Sequence, residues 1–172
     1  FYRKFEKTEQ KVLNLTTITE AIKPEELFSY LLNGKKGYFS IDGLTIKKII
    51  INKTGYFQEQ LVVAEDTDWI LKMVLSSKIV AGNITDAVAM RGVHEENSFN
   101  QDSLYKIHRQ KMFESVLKWC FKNNIKKTKI DLLLARLFFY RNKENYKLKE
   151  EIKYWAYLLK NNPKMIISLL SF

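Results

Sequence analysis

The sequence predicts an α/β fold, α+β over the length of this chain, that passes into a mostly α-helical tail. Three observations predict it. Up to about residue 100, short apolar runs punctuated by glycine alternate with segments of helical period. From Asp102 onward the apolar period is helical throughout. The charge changes at the same place: residues 1–100 carry 13 basic and 13 acidic side chains, whereas residues 101–172 carry 16 and 6, which accounts for the whole net charge of +10. The organisation expected from this is a linker over 1–23, a mixed lobe over 24–100 and a basic helical tail over 101–172.

Residues 1–22 are polar and threonine-rich, with weak periodicity, and read as a connection. Pro24 opens a helix at its first position, with Glu25 and Glu26 where the helix dipole favours anions. Leu27, Phe28, Tyr30, Leu31 and Leu32 give that helix an apolar stripe, and Asn33-Gly34 stops it. The segment 37–46 alternates apolar residues between Gly37 and Gly43 and reads as a loop feeding a short strand near Thr45-Ile46. Lys47 to Asn52 supplies one or two helical turns closed by Gly55. Leu61 to Ala64 is a short apolar run that meets the acidic corner Glu65-Asp66-Thr67-Asp68, followed by Trp69, Ile70, Met73 and Val74 at helical spacing. Residues 78–81 and 87–93 read as two short strands, and His94 to Ser98 as a polar loop.

The tail contains four helical segments. The first spans Leu104 to Asn123, and the second, Lys129 to Arg141, is apolar on nearly every side and expected to be buried. Leu148, Ile152, Trp155 and Leu159 mark a third, and Asn162-Pro163 caps a fourth.

At 46% hydrophobic and 28% charged, with two prolines, the chain has the composition of a globular protein rather than a disordered one. No apolar run approaches the roughly 18 residues a membrane span needs. The single cysteine, Cys120, lies in an apolar run and makes no internal disulfide. The start, Phe1 to Phe5, has neither an initiator methionine nor the apolar block of a signal peptide, and reads as a cut inside a larger protein. There is no glycine-rich phosphate loop, C-x-x-C, H-E-x-x-H or G-x-S-x-G pattern.

Two constellations carry candidate chemistry. Glu65, Asp66 and Asp68 put three carboxylates in four residues, an arrangement suited to a general base. The structural alternative makes Asp66 a helix N-cap and Asp68 a first-turn anion. Asp66 and Asp68 also spell D-x-D, yet within a helix they stand about 200° apart and do not grip one ion. His94 lies three residues after Arg91; an imidazole ligates a divalent metal and a guanidinium forks onto phosphate oxygens. A surface histidine paired with Glu95 or Glu96 is the alternative. His108 falls among helical residues and reads as structural.

Taken in order, Asp42-Gly43-Leu44-Thr45-Ile46-Lys47-Lys48, Gly55-Tyr56-Phe57-Gln58-Glu59-Gln60-Leu61, Glu65-Asp66-Thr67-Asp68-Trp69 and Arg91-Gly92-Val93-His94-Glu95-Glu96-Asn97 resemble the second half of a family 2 glycosyltransferase. The resemblance covers about Pro24 to Ser98. It implies the carboxy-terminal part of a GT-A type fold and an inverting transfer from a nucleotide-sugar donor to a saccharide or lipid-linked acceptor, as in polysaccharide biosynthesis. By position it makes Asp66 the general base, with Glu65 its neighbour. Arg91 falls on the donor diphosphate, and His94 on the diphosphate or a divalent metal (Mn²⁺ or Mg²⁺). The family's first half, with its uridine pocket and metal-binding D-x-D, has no counterpart here, so this chain alone is expected to be inactive and to self-associate through exposed apolar edges. A cytoplasmic location is expected, with the tail resting on an anionic inner membrane face through Lys122, Lys126, Lys127 and Lys129. The competing class is a non-enzymatic, basic helical module that binds a protein partner or nucleic acid through Trp119, Tyr140 and Trp155. Nucleic acid is disfavoured, because those aromatics fall at positions suited to a core.

Overall fold

The computed structural model describes residues 3–6, 9–12, 18, 20–34, 37–86 and 102–140, together with helical positions at 152, 155, 156, 159 and 160. Five helices account for most of it: α1 (Pro24–Asn33), α2 (Ile49–Thr54), α3 (Glu65–Ser76), α4 (Asp102–Lys122) and α5 (Lys127–Tyr140). Beta structure among the described residues is confined to an antiparallel hairpin, Arg3–Glu6 with Glu9–Val12, and an isolated bridge at Tyr38.

The α/β class is therefore overturned: the described residues between 24 and 140 form no sheet, and a GT-A fold is not what they build. The expected strand near Thr45-Ile46 gives way to a 3-10 turn at Ile41–Gly43. Ser40 holds that turn, its Oγ accepting the Asp42 N–H and donating to the Asp42 carboxylate. Residues 78–81 are irregular, and the chain beyond them is folded back by Asn83, whose Oδ1 accepts the N–H groups of Thr85 and Asp86. An alternating pattern makes a strand only where a neighbour pairs with its backbone. The expected strand at 87–93 lies outside the described residues.

α1 follows its sequence signals closely. Pro24 stands at the first position, and Leu27, Phe28, Leu31 and Leu32 are buried. Gly34 ends the helix at φ 65°, with its N–H donating to the Tyr30 carbonyl. A side chain there meets two obstacles, the left-handed backbone and the Tyr38 hydroxyl over the Cα. Gly34→Ala is accordingly expected to cost about 1–2 kcal/mol of stability, measured as a lowered urea midpoint at unchanged slope.

Four helices pack in a closed cycle, α1 on α3, α3 on α4, α4 on α5 and α5 back on α1, while α2 lies on α3. In α4 the buried side chains His108, Met112, Val116 and Cys120 recur every fourth residue and Phe113 and Leu117 widen the stripe. In α5 they are Ile130, Leu133, Leu134 and Leu137. Leu132 is exposed, so α5 is one-sided over these turns and not enclosed as its composition predicts. Fully burying such a side chain stabilises by about 1.5–3 kcal/mol, which makes this shared interior the main stabilising element.

The α4–α5 turn is closed by Asn124 at φ 52° and by the Ile125 N–H donating to the Cys120 carbonyl. Lys129 and Arg136 of α5 reach the carbonyls of Glu25 and Asn33 at the two ends of α1. The start of the basic tail is thus built into the same compact unit as the preceding residues, a unit that runs to Tyr140. Residues 141–172 form a second unit, in which the described positions 152, 155, 156, 159 and 160 are helical. Among the described residues no helix is long and apolar enough to cross a membrane.

Candidate active site

The acidic corner forms the first turn of α3, and the segment before it explains its placement. Leu61, Val63 and Ala64 are buried while Val62 is exposed. The Val62 N–H donates to Nδ1 of His108, itself buried on α4, so that histidine is a structural acceptor that pins the segment. Ala64 then turns the chain at φ 65° and ψ 16°, and its carbonyl accepts the Asp68 N–H to start the helix. A left-handed alanine costs on the order of 1–2 kcal/mol, which the buried neighbours on both sides offset.

Glu65 and Asp66 are the first two residues of α3, and both are half-buried. Asp66 is therefore not the N-cap, a position held by Ala64 without any side-chain bond. Its Oδ1 accepts the Thr67 N–H at 2.6 Å and the Thr67 hydroxyl at 3.1 Å. This satisfies one of the amide donors that every helix start leaves open. It also fixes the carboxylate, whose other oxygen accepts no hydrogen bond from the described residues.

Asp68 behaves differently. It is completely buried, and its Oδ2 accepts from Lys72 Nζ at 2.5 Å. Lys72, also buried, donates further to Ser115 Oγ on α4 at 3.0 Å. Asp68 Oδ1 is buried with no hydrogen-bond partner among the described residues. Burial pushes the Asp68 carboxyl above its ordinary range, and the Lys72 hydrogen bond and charge pull it only partly back. Asp66 thus faces the surface layer while Asp68 is committed to the interior, and the D-x-D tripeptide does not converge on an ion. Cys120 is likewise enclosed, with burial driving its thiol up to about 12.

One turn along α3, the Trp69 indole Nε1 donates to the Gly55 carbonyl at 2.9 Å, and its ring meets Phe57 at 5.5 Å between centroids. This clamps the 55–57 loop onto the face of α3 that carries Asp66, since residues three apart share a face. Tyr56 and Phe57 are exposed there.

Glu65 and Asp66 are thus placed together, whereas Arg91 and His94 lie outside the described residues. Sequence reasoning missed the Asp68–Lys72–Ser115 network. The i, i+4 spacing of Asp68 and Lys72 is visible in the sequence, but nothing local reveals its burial. Among the described residues no three carboxylate, imidazole or thiol groups come together as a metal shell. The divalent ion implied by the resemblance therefore finds no such shell there, and no step of the chemistry is assigned to it. Trp119 and Trp155 are half-buried.

No family model matches the chain, and neither a curated protein nor a solved structure matches it.

Proposed function

We propose that this chain carries the base side of an inverting glycosyltransferase of the family 2 type, acting with an activated nucleotide sugar and an acceptor hydroxyl. The observation supporting this is the state of Asp66. One oxygen is held by the Thr67 N–H and hydroxyl, and the other accepts no hydrogen bond from the described residues, at a half-buried helix start that coincides with the E-D element of the resemblance. A general base needs that combination of fixed orientation and access.

In the reaction, the acceptor oxygen bonds to the anomeric carbon from the face opposite the leaving group, so configuration inverts. Its proton passes to the open oxygen of Asp66. The anomeric C–O bond breaks, and its electron pair leaves on the terminal phosphate oxygen of the nucleoside diphosphate. Arg91 and His94 are the residues proposed to meet that diphosphate, by the resemblance alone. Glu65 stands beside the base in the same first turn of α3. The proposed setting is the cytoplasm, at the inner membrane face, with a saccharide or lipid-linked acceptor. The test is transfer by Asp66→Asn in a protein that also supplies the donor-binding residues; retention of near wild-type turnover would remove the reading.

A further inference from the structure

We propose that a cavity at the α4–α5 turn receives the phosphate headgroup of an anionic lipid. The cavity measures about 580 Å³ and is bounded by the start of α1, the end of α3 and the start of α5. Phe28, Val74 and Ile125 supply apolar lining. Lys78, Lys126 and Lys129 line it from three places in the chain: after α3, before α5 and within the first turn of α5.

Lys129 is held in place beforehand. Its Nζ donates to the Glu25 carbonyl at 2.9 Å and lies 5.4 Å from the Phe28 ring centroid. Lys78 and Lys126 are exposed, as are Lys122 and Lys127 on the same turn, and residues 122–129 contain no acidic side chain. Among the described residues Glu25 is the one carboxylate on the wall, and it opposes an anion. The helix dipoles at the starts of α1 and α5 add positive potential to that of the lysines.

Three lysines beside apolar side chains match an amphiphile whose phosphate is anionic and whose remainder is hydrocarbon. A small polar phosphate would leave the apolar surface unused. This assignment deepens the inner-membrane-face setting proposed above and rests on that part of the reading, while Asp66 takes no part in it. Loss of vesicle binding and loss of transfer are therefore read separately.

The experiment is co-sedimentation of the intact chain with vesicles. Equal parts phosphatidylglycerol and phosphatidylcholine are compared with phosphatidylcholine alone, at low salt. Binding is expected to the mixed vesicles only, and to weaken as salt is raised. Each lysine near a charged surface contributes about a fivefold change in partition. Lys78→Glu with Lys126→Glu is therefore expected to reduce partition at least tenfold, whereas Lys106→Glu with Lys111→Glu, an equal charge change elsewhere on α4, leaves most of it. Glu25→Gln is expected to strengthen binding. Circular dichroism of each variant checks that the helices persist. The proposal is overturned if the two charge-reversed pairs lose binding equally or if the mixed vesicles are not bound. It is also overturned if an RNA oligonucleotide is bound while vesicles are not.

Discussion

Lys72→Met is expected to destabilise the folded chain by about 3–5 kcal/mol, the cost of leaving one buried charge without its partner. Asp68 is fully enclosed, and its Oδ1 accepts no hydrogen bond from the described residues. Without the ammonium, the Ser115 hydroxyl is the polar group left acting on the carboxylate among the described residues. Ser115→Ala is milder, at about 1 kcal/mol, because Asp68 still holds Lys72. The pair Asp68→Leu with Lys72→Met recovers most of the loss, since apolar replacements of similar volume are often neutral or better at such sites. Denaturant titration of the four variants measures all of this, and a double variant no more stable than Lys72→Met would refute it. Titration of Asp68 adds a pH signature of definite sign. Its folded pKa lies above the ordinary 3.8, so the native state binds this proton more tightly than the unfolded chain does. Relative to Asp68→Asn, the wild type therefore gains stability as pH falls through the raised value toward the ordinary one. The gain is lost again as pH rises.

The elements that the sequence made legible are those whose signals are local. Pro24 and Asn33-Gly34 bracket α1 with a proline start and a left-handed glycine stop, and the helix runs between them. α4 and α5 appear within two residues of their apolar periods, since a stripe at i, i+4 specifies a helix whatever it packs against. It does not specify the partner, which is why the seating of α4 on α3 through Ser115 and Lys72, and on the segment before α3 through His108, was invisible. The strand readings near Thr45-Ile46 and at 78–81 failed for a related reason. The apolar run at 78–81 is a property of the side chains, but a strand is a property of two backbones, and no neighbour pairs with that segment among the described residues. At the site, the adjacency of Glu65 and Asp66 and their helical setting were legible. The shift of the helix start to Ala64 was not, because alanine gives no sign of a left-handed backbone. The separation of Asp66 from Asp68 followed from helical geometry, whereas the depth of Asp68 depends on the long-range packing that encloses it.

Asp66→Asn, in a protein that also carries the donor-binding residues, is expected to lower kcat by about 10²–10⁴-fold, the range a general base supplies. The variant is chosen so that structure and chemistry separate. Asparagine keeps a side-chain oxygen to accept the Thr67 N–H and hydroxyl, so the first turn of α3 retains its bonds. What is lost is the basicity of the other oxygen. Stability and the KM for the donor are therefore expected to stay close to wild type, while Asp66→Ala adds a structural loss of about 1 kcal/mol by removing the acceptor as well. Glu65→Gln is expected to fall between wild type and Asp66→Asn, because it changes the field at the base without removing the base. The split between kcat and KM separates a base from a merely well-placed polar group: removing the base lowers kcat in Asp66→Asn and leaves the donor KM in place. An asparagine variant with near wild-type kcat would show that the proton goes elsewhere, and Asp66 would then be only the residue that ties the start of α3.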